Sequence, residues 1–109
     1  MNEIQTFIDN FLQQNDITLQ VKMIDNNIIY ISNENSNQFY RIFIKKYVNN
    51  NININIIHNV VRHDDSIVSH PQDNINISSS DLYKELQKYN IIDDDDKLKI
   101  FCKFLTNIL

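Results

Sequence analysis

The chain opens with Ile4, Phe7, Ile8, Phe11 and Leu12, the i, i+3, i+4, i+7, i+8 spacing that lines one face of a helix. A helix is therefore predicted over 3–14, with Asn2 as its cap. From Asp16 the period drops to two. Ile17, Leu19, Val21 and Met23 alternate with Thr18, Gln20 and Lys22, as a half-buried strand requires. A second strand, 28–33, follows the Asn26-Asn27 pair. Parity sets the loop between them, because a two-residue turn would put Ile29 and Ile31 on the polar face of the first strand. A three-residue loop, Asp25-Asn26-Asn27, instead pairs Met23 with Ile29 and Val21 with Ile31. That loop is expected to hold Asn27 in the left-handed conformation glycine usually takes.

After a polar turn over Glu34–Asn37, residues 38–48 alternate Tyr40, Ile42 and Ile44 with Phe39, Arg41, Phe43 and Lys45. Both faces carry bulk, which predicts a central strand. Asn49-Asn50-Asn51 reads as the next loop, and Ile52, Ile54 and Ile56 alternating with Asn51, Asn53 and Asn55 as a strand running to Val60 or Val61. Between 62 and 77 the pattern weakens. Ile67-Val68 forms at most a short strand, Pro71 is expected to break any regular element, and Ile75-Asn76-Ile77 adds an edge strand. Ser78, Ser79 and Ser80 offer N-caps, with Asp81 placed for a capping box, so a second helix should run through Leu82, Leu86 and Tyr89. Asp93-Asp94-Asp95-Asp96 suits the positive end of a third helix. That helix holds Leu98, Ile100, Phe101, Cys102, Phe104, Leu105, Ile108 and Leu109, apolar around most of its circumference. It is either wedged against the sheet or shared with another chain.

The order predicts an α+β fold: an N-terminal helix, a four- to five-stranded antiparallel β-meander and two C-terminal helices packed on one face, in a single domain over 1–109. In topology this order resembles that of RWD-type interaction domains. The two prolines those domains carry after the fourth strand are represented here by His70-Pro71 alone.

Composition narrows the chemistry. There are 109 residues with no Gly, one Pro and one Cys, and reading the chain gives 20 Ile, 18 Asn and no Ala. Such a bias is what an AT-rich coding sequence produces. Without Gly, phosphate-cradling loops, dinucleotide turns and nucleophile elbows lose the residue on which they depend. One Cys allows no internal disulfide and no four-Cys zinc site. The net charge of −4 opposes general nucleic-acid binding. Glu3 and Asp9 with no early Lys or Arg do not resemble a secretory signal, and no apolar run reaches the length of a membrane span, so a cytoplasmic protein is expected, in the host cytoplasm if viral.

His58, His63 and His70 fall within thirteen positions, near Asp64, Asp65 and Asp73. The adjacent His63-Asp64 resembles the central pair of HD-type phosphohydrolases, whose further ligands stand on helices. The spacing fits no ligand pattern, and the segment reads as a solvated loop. Cys102 reads as a buried small hydrophobe. No catalytic, cofactor or metal residue is assigned. Phe39, Arg41, Phe43, Lys45 and Tyr47 interleave aromatic and basic groups on one strand face, and with Phe104 and Ile108 they form the expected partner-binding set. The reading is a non-enzymatic protein–protein interaction module, a small accessory, adaptor or inhibitor of the kind viruses and mobile elements encode, with homodimerisation possible. The alternative is a nucleic-acid binder using the basic and aromatic strand face.

Overall fold

The first helix, α1 (Glu3–Gln14), forms where the apolar spacing places it and buries Ile8 and Leu12. The computed structural model describes residues 3–33 and 37–109. The expected cap Asn2 and most of the Glu34–Asn37 turn lie outside them. α1 ends in a double reversal in which the Ile17 N–H donates to the Leu12 carbonyl at 2.9 Å and the Asp16 N–H to that of Gln13 at 3.2 Å. Asp16, at φ 54°, occupies the left-handed position that glycine usually fills. This motif delays the first strand. Ile17 and Leu19 turn inward as their period demands, but β1 spans only Gln20–Asp25.

β1 pairs with β2 (Ile28–Ser32) through Met23↔Ile29 and Val21↔Ile31, the register that parity requires. The device that secures it is different from the one expected. Asp25 pairs with Ile28 across a two-residue Asn26-Asn27 turn, and Ile24 is the extra residue of a bulge. A bulge shifts parity by one without a left-handed residue. Asn27 is not among the residues with positive φ.

The sheet continues with β3 (Gln38–Lys46), β4 (Asn51–Val61) and β5 (Ile67–Ser78), in the order β1-β2-β3-β4-β5, all antiparallel, with β3 in the middle. The β3–β4 loop is Val48-Asn49-Asn50, one residue earlier than expected, since Lys46 pairs with Ile52 and the Tyr47 N–H donates to the Asn51 carbonyl at 2.8 Å. Asn49 and Asn50 have φ of 61° and 62°. β5 corrects the expectation that Pro71 breaks the chain, for the strand passes through it in one 12-residue run with Gln72 bulged out. The Arg62 N–H donates to the Ser66 carbonyl at 2.9 Å. Alternation from that pair turns the N–H positions of residues 67, 69 and 71 away from β4. Pro71 thus sits where no ladder donor is needed, as proline on an edge strand can.

Beyond β5, a 3-10 turn over Ser79–Asp81, the short helix α2 (Leu82–Leu86) and a second 3-10 turn over Gln87–Tyr89 replace the single helix expected, and Asn90 at φ 49° ends them. Ser78 caps the first of these turns through the Ser80 N–H. In α3 (Asp95–Ile108), Asp94 is the N-cap, its side chain accepting from the N–H groups of Asp96 and Lys97. Replacing Asp94 with Ala is expected to lower stability by about 1 kcal/mol, read as a shifted urea midpoint with an unchanged m-value. No change at all would mean the cap contributes nothing to α3.

All three helices cover one face of the sheet. Val21, Ile29, Ile31, Ile42, Ile44, Ile52, Ile54 and Ile56 meet Ile8, Leu12, Leu82, Leu86, Leu98, Phe101 and Leu105 in one buried cluster. The apolar side of α3 is therefore wedged inside, and Phe104 stacks on Phe11 with ring centroids 3.8 Å apart. α1 also closes the outer edge of the sheet. The Gln5 side chain donates to the Val21 carbonyl at 2.9 Å and accepts from the Met23 N–H at 3.2 Å, two bonds that a neighbouring strand's peptide group would make. No helix of the described residues is long and apolar enough to cross a membrane.

Candidate binding face of the sheet

The face turned away from the helices is set by the same alternation. Its rows are Lys22–Tyr30–Phe43–Asn55–Asn74, Ile28–Lys45–Asn53–Asn76 and Ser32–Arg41–Ile57–Pro71. Phe39, Arg41, Phe43 and Lys45 share this face, as parity predicts. Tyr47 lies just beyond β3, 45% exposed, with the Lys45 ammonium 5.6 Å from its ring centre. Tyr30, which sequence reasoning left out, belongs beside them, its ring centroid 5.2 Å from that of Phe43. Pairing parity on the preceding strand was the signal for it.

Phe39 does not offer itself to a partner. It is 4% exposed, with the Arg41 guanidinium 5.4 Å from its ring centre, and it lies outside the helix-side core. Nearby, buried Asn59 accepts from the Ser69 hydroxyl at 2.6 Å and donates to the Ile57 carbonyl at 3.2 Å, which gives both the oxygen and the nitrogen of its amide a partner. Phe104 is buried against Phe7 and Phe11 of α1 and Ile108 is half-buried against the core, so Phe104 serves the contact between α3 and α1 and neither ring nor methyl is presented on the helix-free face. The accessible remainder is Lys22, Tyr30, Phe43, Lys45 and Tyr47, bordered by an Asn ladder in which Asn53 Nδ2 donates to Asn74 Oδ1 at 2.8 Å and Asn76 Oδ1 at 2.9 Å.

Charge on this face differs in sign from the chain as a whole. Lys22, Arg41 and Lys45 lie on it, and among the described residues paired across it only Asp25, at the β1–β2 turn, is acidic. Among the described residues the other acidic groups stand on the helices, at turns and on the inner face, where Asp73 pairs opposite Ile56.

Other groups the sequence singled out do not converge. His58 and His70 pair across β4 and β5, while His63 stands in the exposed turn between those strands. Among the described residues no three His, Cys, Asp or Glu side chains come together as a metal site would need. In that turn Asp64 accepts from the Ser66 hydroxyl at 2.6 Å, which, with the Ser66 N–H, holds its carboxyl below the usual range. Burial pushes the Cys102 thiol up to about 12, so it is protonated at neutral pH and a poor nucleophile. One polar cluster was not foreseen. The Tyr89 hydroxyl donates to Asp73 Oδ2 at 3.2 Å, and its ring packs edge-on to Tyr40, which lies against His58. Burial first, then the Asp73 and Glu85 charges, raise the Tyr89 hydroxyl above its ordinary value. Asp73 falls in the stretch whose periodicity was too weak to place.

No family model, curated protein or solved structure matches the chain. The molecule is defined by its own architecture, an α+β protein with an antiparallel five-stranded sheet backed by helices on one side.

Proposed function

We propose that the protein is a non-enzymatic binding module that docks an acidic segment of a partner protein on the helix-free face of its sheet. The observation that carries this reading is the segregation of charge: Lys22, Arg41 and Lys45 with Tyr30, Phe43 and Tyr47 on one face of a chain whose net charge is −4. Complementary potential steers an acidic partner to that face and sets its orientation. The aromatic rings add contact area at low entropic cost. A nucleic acid is the weaker reading, since three cations neutralise few phosphates and the surrounding acid repels a long polyanion.

Titration with an Asp/Glu-rich peptide, followed by tyrosine fluorescence, tests the proposal. Binding is expected to weaken with salt and to fall at least about tenfold in the Lys22→Glu/Lys45→Glu double variant. Tighter binding of a single-stranded oligonucleotide, lost in the same variant, would assign the face to nucleic acid and overturn the protein-partner reading. Peptide affinity unaffected by the double reversal, or no peptide binding at low salt, would overturn it too.

A further inference from the structure

The two edges of the sheet differ. Gln5 occupies the middle of β1's outer edge, whereas among the described residues no further strand pairs with β5, whose Asn74, Asn76 and Ser78 are exposed. The direction of β5's free groups follows from one bond, the Ser79 N–H donating to the Asn50 carbonyl at 2.7 Å. Alternation from there turns Ile75 and Ile77 toward β4 and leaves the N–H and C=O groups of Asn76, the Ser78 N–H and the Asn74 carbonyl on the outside, the Ser78 carbonyl being engaged by the 3-10 turn it caps. The Asn74 N–H is met by Asp73 Oδ1 at 3.0 Å. Toward residue 67, Pro71 and the Gln72 bulge end this open stretch.

We propose that β5 pairs antiparallel with the β5 of a second copy of this chain, about a two-fold axis at Asn76. In that register Asn76 faces Asn76 of the second copy, Ile75 faces Ile77, and Asn74 faces Ser78. The chain already contains the template. Asn51-Ile52-Asn53-Ile54-Asn55 of β4 lies against Ser78-Ile77-Asn76-Ile75-Asn74, and Asn53 bridges Asn74 and Asn76 by side-chain hydrogen bonds. β5 accepts a strand of alternating Ile and Asn on its inner side, and residues 74–78 are themselves such a strand. Self-complementarity is what a two-fold interface requires. No residue from 74 to 78 is charged, so no like charges meet across the axis. On the helix side Ile75 and Ile77 are only half-buried, and the pairing covers them with their counterparts. The outer faces of the two chains become one continuous sheet surface.

Sedimentation equilibrium over a concentration series tests this, with Asn76→Pro as the variant. Asn76 donates no ladder bond to β4, so proline there spares the fold while removing the donor on the axis. The wild type is expected to pass from 13.0 kDa to about twice that mass, and the variant to show a dimer dissociation constant at least about tenfold higher with an unchanged far-UV CD spectrum. Amide hydrogen exchange on the wild type gives a reading that needs no variant. Protection of the Asn76 and Ser78 amides should rise with concentration. A wild type that stays single at its highest soluble concentration, a folded variant that dimerises as tightly as the wild type, or a dimer whose Asn76 and Ser78 amides exchange freely would each overturn the proposal. The Lys22→Glu/Lys45→Glu chain dimerises normally under it, which separates its failure from that of the sheet-face reading.

Discussion

Truncating Phe101 to Ala is expected to lower stability by about 3–5 kcal/mol, the largest loss any single substitution should produce here. Phe101 is 0% exposed and lies in the cluster where α3 meets the sheet and α1. Removing the ring forfeits its transfer free energy and opens a cavity beneath Ile residues that are β-branched and slow to re-pack. A small domain has about 5–15 kcal/mol in total, so much of the margin would go. Urea unfolding followed by far-UV CD measures it, and Phe101→Leu, which retains most of the volume, should fall well short of that loss. A loss below about 1 kcal/mol for the Ala variant, a surface-like value, would show that α3 is not docked on the sheet.

The second large effect is conformational. Asn49 and Asn50 both hold positive φ, a region that disfavours residues with a Cβ by about 1–2 kcal/mol each and branched ones most strongly. Replacing both with Val should therefore lower stability by about 2–4 kcal/mol, while replacing both with Gly should leave it near the wild-type value. The Asn50 carbonyl also accepts from the Ser79 N–H at 2.7 Å, so a displaced loop would loosen the entry to α2 as well. Thermal unfolding of the three proteins compares them directly. Equal midpoints for the Val and wild-type chains would refute the left-handed turn.

How far the sequence foretold this structure depended on whether a feature was periodic. The 3.6-residue spacing of Ile4, Ile8, Phe11 and Leu12 located α1, and strict Ile/Asn alternation located β4, because burial on one side imposes the period directly. Parity also recovered the Met23↔Ile29 register. The means of achieving it, a bulge at Ile24, leaves no compositional mark that distinguishes it from a left-handed Asn27. β5 was hidden for a related reason. The bulge at Gln72 puts the two halves of the strand out of phase, so no single alternation spans them, and Pro71 looks prohibitive until its position on the free edge is known. In the candidate site, alternation brought Arg41, Phe43 and Lys45 together, but whether a ring on that face is open or closed depends on what lies over it. Phe39 is closed and Tyr30 is not.

The amide of Gln5 at the rim of β1 also governs how far such sheets can grow. A sheet with two bare rims can add copies end over end without limit, which is the route to filaments. With Val21 and Met23 already bonded to Gln5, pairing through β5 leaves α1 at both outer rims of the joined sheet. Assembly then closes at two chains.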